Sequence, residues 1–170
     1  PLGLHSMLYN PHGRVPQENL VPTENDTVFR HQLLRGYVHD PAAAMLGGVA
    51  GNAGIFSDAN SLAVLMQMYL DHGKYAGRRY LDSATVSTFV SRGIVNSTNR
   101  RGLLFDKPET DPAKPSPACR SASARAFGHQ GFTGTCVWGD PDYDLVFVFL
   151  SNRVHPDVSN DKLVKMNVRT

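Results

Sequence analysis

Apolar positions run together most clearly in the last third of the chain. Cys136-Val137-Trp138, a turn signal at Gly139-Asp140-Pro141-Asp142, and the apolar run Leu145 to Leu150 predict two strands joined by a tight turn. A third strand precedes them and carries Gly128-His129-Gln130-Gly131-Phe132-Thr133-Gly134-Thr135. Upstream, Leu62, Leu65, Met66, Tyr69 and Leu70 recur at helical spacing. They predict an amphipathic helix over 58–71 that ends near Gly73, with Ser57 as N-cap and Asp58 in the first turn. A second helix is predicted from Ser83 through Val86, Phe89 and Val90, and Asp161 to Met166 reads as the start of a last one. The remainder lacks periodicity. Residues 1–35, with a turn signal at Asn10-Pro11-His12-Gly13, predict an extended irregular segment. Glycines at 47, 48, 51 and 54 predict an irregular loop leading into the first helix. Residues 93–125 read as loop, with four prolines at 108, 112, 115 and 117.

Composition narrows the class without naming a function. A chain of 170 residues with 41% hydrophobic and 19% charged residues fits one globular domain with a sizeable core. The net charge of +2 is too small to argue for nucleic acid or an anionic membrane surface. No apolar stretch reaches spanning length, so no membrane span is expected. The chain begins at Pro1 without an initiator Met and so reads as a piece of a longer protein. Cys119 and Cys136 are too few for a disulfide framework, and whether they pair is left open. The histidines show no ligand spacing, so neither a metal nor another cofactor is expected.

Chemistry concentrates in the octet at 128–135. A glycine inside a strand weakens it and marks a place where a ligand or backbone approaches closely. A strand edge open to a ligand, with a polar side chain beside it, suits acyl transfer. His129 is weighed against the plainer role of a hydrogen-bonded strand histidine, and its glycine-rich context favours a site. His39-Asp40 reads first as a structural hydrogen-bonded pair, and Trp138 as sheet packing.

Taken together, several segments resemble the serine β-lactamase and penicillin-binding family, on the side of the class C enzymes and their esterase and peptidase relatives. Pro1-Leu2-Gly3-Leu4 is similar to the family's P-L-G-M step, and Val38-His39-Asp40-Pro41 through Ser57 to a V-H-D…G-G-V-A-G-H-A-G-L-F-S stretch, with Asn52 at the second His. Arg101 to Phe105 resembles a G-L-G-F/W strand with Leu104 in place of the second glycine, and Ser151-Asn152-Arg153 resembles the end of the last strand. Gly128 to Thr135 resembles the third catalytic motif, with H-x-G replacing K-T-G. The resemblance implies an α/β (α+β) fold, an antiparallel sheet flanked by helices, here as a partial domain with the last three sheet strands. It divides the chain into an irregular and omega-type loop segment (1–56), helices (57–92), loop (93–125), three strands (126–152) and the start of a C-terminal helix (160–170).

The same resemblance implies roles and absences. Phe132 N–H takes the position of an oxyanion donor, Gly131 lets the strand approach substrate, and His129 replaces the family's Lys. Gln130, Thr133, His39 and Asp40 stand at substrate-binding positions. The nucleophile motif S-x-x-K and the second motif, Y-x-N or S-x-N, precede P-L-G in the family. None of Ser57, Ser61 and Ser83 has a Lys three residues on, and Tyr9-Asn10 lacks the second spacing. The expectation is therefore the C-terminal half of a serine hydrolase domain, inactive by itself. Its substrate would be a small molecule or peptidoglycan fragment, and the best reading is a muropeptide amidase or peptidase. An esterase or β-lactamase is the alternative within the class; a non-catalytic muropeptide-binding or structural module is the alternative outside it. The branch resembles a module found with bacterial β-N-acetylhexosaminidases. Implied partners are therefore the remainder of the parent chain and a glycoside hydrolase domain, in the bacterial cell envelope, periplasmic or secreted.

Overall fold

A computed structural model describes residues 2–93 and 99–170. Its centre is a three-stranded antiparallel sheet of β7 (Phe127–Gln130), β8 (Cys136–Asp140) and β9 (Leu145–Phe149), in that order. The register aligns Gly128 with Trp138 and Phe147, and His129 with Val137 and Val148. Because side chains alternate across a sheet, the two faces hold different cores. One face takes the helix α2 (Ala59–Leu70): Met66 and Leu70 bury against Phe127, with Tyr69, Val90, Phe105, Val137 and Val146 around them. Gly139 makes room for this, since a side chain there would meet Phe127 and Met66 at 3.1 and 3.2 Å. The other face holds Trp138 and Cys136 under Ala118, with Ala122 and Phe149 beside them. Among the described residues that cover is irregular chain, Ala118 and Ala122 just after the proline-rich stretch.

The helices start about where the periodicity places them, with a correction at the first cap. Asp58, not Ser57, is the N-cap of α2, and its carboxylate accepts from Ser61 N–H at 2.8 Å. Asp82 caps α3 (Ser83–Val90) in the same way, accepting from Ala84 and Thr85 N–H. Asp40 caps the five-residue α1 (Pro41–Met45), taking Ala43 N–H at 2.7 Å. The last helix, α4, is only Lys162–Lys165.

The N-terminal segment is less irregular than its sequence suggests. β2 (Pro22–Asp26) and β3 (Gln32–Arg35) form an antiparallel pair. Asp26 closes it by accepting from the N–H groups of Val28, Phe29 and Arg30 and from Arg30 Nε, which holds its carboxyl far below the usual carboxylate range. Such a local side-chain closure leaves no mark in hydrophobic periodicity. β1 (Leu8–Tyr9) pairs with β4 (Ile55–Phe56), and the glycine loop folds back on this pair. Tyr9 Oη donates to Ala50 O, and Asn10 Nδ2 to Gly47 O. Gly54 sits at φ +116°, with the Gly48 carbonyl 2.3 Å from where a side chain would start, so no other residue fits. A further hairpin, β5 (Lys74–Tyr75) and β6 (Arg78–Arg79), follows α2. The strand expected over 101–105 does not form: Gly102 N–H bonds Phe105 O in a turn, and only Asp106 bridges to Gly128. Cys119 and Cys136 are both free thiols, the first exposed and the second buried.

Candidate active site

The octet turns out to be the end of β7 plus the loop that returns the chain to β8. Gly131 N–H donates to Thr135 O at 2.7 Å, and Gly134 N–H to Gly131 O at 3.1 Å, so the loop is closed on itself. Two glycines are required by that closure. A side chain at Gly131 would begin 2.3 Å from Thr135 Oγ1. Gly134 adopts φ +117°, and a side chain there would begin 2.6 Å from Ser151 Oγ.

Two arginines clamp the loop from outside through its carbonyls. Arg153 Nε donates to Phe132 O at 2.9 Å, and its Nη1 reaches Val158 O and Asn160 O. Arg153 N–H also donates to Thr133 O at 2.8 Å. Arg169 Nη1 donates to both Gly131 O and Thr135 O, at 2.9 and 3.0 Å. The acceptors of the loop are thereby satisfied, while Phe132 N–H has no partner among the described residues. A donor left open on a braced loop is what stabilises an oxyanion: it is already oriented when charge develops on the substrate oxygen.

The side chains sort into two groups. Phe132 is 63% exposed, and its ring lies between the His39 ring, stacked at 5.6 Å, and the Arg153 guanidinium, 4.5 Å from its centroid. His39 is therefore beside the loop, and its Nε2 meets Glu24 Oε2 at 2.6 Å. Asp40 points instead into its own helix as the α1 cap. His129 is exposed on β7; Arg101 Nη1 lies 3.0 Å from its Nε2, and Gln130 O 2.8 Å from its Nδ1. Arg101 can only donate, so Nε2 accepts and Nδ1–H donates to the carbonyl. Arg101 is in turn aimed by the buried Asp106, 3.5 Å away. Gln130 Nε2 donates to Pro117 O at 2.6 Å, tying the sheet to the proline-rich stretch. Thr133 is half-buried at the turn of the loop.

Arg101 and Arg153 stand in the sequence only as ends of the Arg101–Phe105 and Ser151–Arg153 matches, with no role attached. Only the fold brings them to His129 and Phe132. The letters S-x-x-K do occur once, at Ser159-Asn160-Asp161-Lys162. Ser159 stands outside α4 with its N–H on Asp157, so it does not share a helix face with Lys162 as residues three apart within a helix would. The letters S-x-N at 97–99 fall almost wholly outside the described residues. Among the described residues no group of acidic, His and Cys side chains is arranged to hold a metal ion.

Comparison with known proteins bears on the whole chain. The beta-lactamase family model matches residues 1–166, and the chain belongs to that family. A Salmonella gallinarum protein named "Putative D-alanyl-D-alanine carboxypeptidase" is 36% identical over 176 residues, covering 96% of this chain and 40% of that protein. A Salmonella typhi protein of the same name is 36% identical over 177 residues with the same coverage. The chain thus spans about two fifths of the length of these curated relatives. Among solved structures, a beta-lactamase from Mycobacterium bovis matches with TM-score 0.48 and 23% identity, over 66% of this chain and 46% of that one.

Proposed function

We propose that this chain supplies the oxyanion-loop part of a serine hydrolase that cleaves an amide or ester bond through an acyl-enzyme, with a cell-wall peptide or muropeptide as substrate. The observation that carries the proposal is the open Phe132 N–H on a loop whose carbonyls are held by Arg153 and Arg169. In acyl transfer the carbonyl oxygen gains charge in the tetrahedral state, and one such donor stabilises it by about 3 kcal/mol. Gly131 keeps the approach to that donor narrow and free of side chain. Arg101, held on His129 Nε2, offers guanidinium donors on which a substrate carboxylate can sit. The nucleophile would come from chain beyond these 170 residues, in keeping with the longer relatives.

Names among the relatives favour a peptidase acting on D-alanyl peptides; the H-x-G motif of the class C-like branch favours a muropeptide amidase working beside a β-N-acetylhexosaminidase. Both readings are in keeping with a protein of the bacterial envelope. The alternative is a muropeptide-binding module without turnover; Gln130 does not argue for it, since its amide donor is engaged by Pro117 O.

The test is intact mass after exposure to a fluorophosphonate serine probe, on this chain and on a form extended with the rest of its parent protein. One adduct on the extended form only is the expected result. Its absence there would leave the binding module as the better reading, and an adduct on this chain alone would overturn the division of labour.

A further inference from the structure

At the end of β7 away from the motif loop lies a half-open cavity of about 320 Å³, within the range of small-molecule sites. Its lining combines apolar and aromatic side chains, Tyr69, Leu70, Val90 and Phe127, with the cations Arg92, Lys107 and Arg125.

Lys107 is the unusual member. It is only 3% exposed, and its ammonium donates to two backbone carbonyls, Val90 O at 2.9 Å and Arg125 O at 2.8 Å. An ammonium has three donors. Among the described residues no carboxylate pairs with Lys107 or Arg92. The nearby acids are engaged elsewhere: Asp142 holds Arg125 at 2.7 Å, and Asp140 accepts from Ser123 and from Asp142 N–H. A buried charge without a counter-ion is costly. Accordingly burial, with Arg92 and Arg125 beside it, pushes Lys107 down to about 8. Arg92 Nη2 takes one carbonyl, Pro108 O at 2.9 Å. A guanidinium has five N–H donors, so this leaves it capacity.

We propose that this cavity binds a small organic anion, its carboxylate or phosphate oxygens on Lys107 and Arg92 and its apolar body against Tyr69, Leu70, Val90 and Phe127. The site is separate from the motif loop, since Phe127 and Gly131 lie four strand positions, or about 13 Å, apart. It needs no nucleophile and stands independently of the hydrolase reading.

The experiment is titration of the full chain with sodium benzoate and, separately, with inorganic phosphate, against sodium chloride at matched ionic strength. Amide NMR shifts of Ser87, Ser91 and Phe127 are followed. Saturable shifts with either anion and none with chloride are expected. Benzoate alone would assign a carboxylate ligand, phosphate alone a phosphate ester; either result supports the site. Arg92→Gln and Lys107→Met should each weaken binding by about 10-fold, the loss of one charge-assisted contact. If Lys107→Met fails to fold, Arg92→Gln, at a half-buried position, decides the matter alone. Shifts that do not saturate with either anion, or unchanged affinity in Arg92→Gln, would overturn the proposal.

Discussion

The two ends of β7 use the same device to opposite effect. At the motif end, Arg153 and Arg169 donate to backbone carbonyls of residues 131–135, and among the described residues the loop they brace leaves the Phe132 N–H open, with those of Thr133 and Thr135. At the far end, Lys107 and Arg92 also donate to backbone carbonyls, but they border a cavity. A cation anchored on carbonyls can therefore brace a loop or hold charge ready for a ligand. What decides is whether a cavity lies beside it. The motif end should depend on its contacts for stability, and the far end should be nearly indifferent to them until an anion arrives.

The largest expected break in that contrast is Gly134→Val. It forces a β-branched residue to φ +117° and drives its side chain to within 2.6 Å of Ser151 Oγ. Backbone strain and overpacking together predict a loss of about 3 kcal/mol in denaturant unfolding. Cys136, buried where β8 leaves the loop, should become reactive to a thiol reagent, while wild type labels only at Cys119. Burial pushes the Cys136 thiol up, which adds to its inertness. A loss under about 1 kcal/mol, with Cys136 still protected, would mean the loop is not closed as described.

Next in size is Arg153→Ala. It removes the donations to Phe132, Val158 and Asn160 carbonyls and the contact over the Phe132 ring, a predicted cost of roughly 2 kcal/mol. Arg153→Lys should recover little, because a point charge cannot reproduce the planar fork. Arg92→Ala at the far end should stay within about 0.5 kcal/mol in anion-free buffer. Equal losses at the two sites would erase the distinction between brace and reserve.

How far the sequence leads is itself uneven along the molecule. The helix α2 is legible from its periodic apolar positions and the strands from apolar runs set off by a turn: Met66, Leu70 and Phe127 meet on one face. The other face is illegible, since Trp138 and Cys136 are covered by Ala118 and Ala122 from a stretch with no period. The β2–β3 pair hides because Asp26 closes it through its own carboxylate. The hairpin after α2 hides because Ala76, at φ +47°, is not a residue that announces such a turn. Of the candidate site, Gly131, Phe132 and His129 are readable as a motif. Arg101, Arg153 and Lys107 are not, since each acts on a residue distant in sequence. Asp40 is a readable position whose visible role is structural: Asp40→Ala should cost about 1 kcal/mol and Asp40→Asn almost nothing, because Asn also caps.

The effect that isolates the far end is a pH dependence. Lys107 has a folded value near 8, below the 10.5 of an unperturbed lysine. Between those values the unfolded chain binds the proton that the folded chain has released. Stability must therefore rise with pH across that window, by less than about 1.4 kcal/mol per pH unit, and Lys107 adds no slope below it. Two groups oppose it: burial raises both Cys136 and Tyr69, so each favours the folded state at lower pH and withdraws that support as the solution becomes more alkaline. The clean measurement is the difference between wild type and Lys107→Met in urea unfolding at pH 7.5, 8.5 and 9.5, because the opposing groups cancel in it. Wild type should gain on the variant at each step. With an anion bound at Lys107 the gain should shrink, because the ligand holds the proton in the folded state. A flat difference without anion would show that the ammonium is not buried without a counter-ion, and the contrast between the two ends of β7 would lose its physical basis.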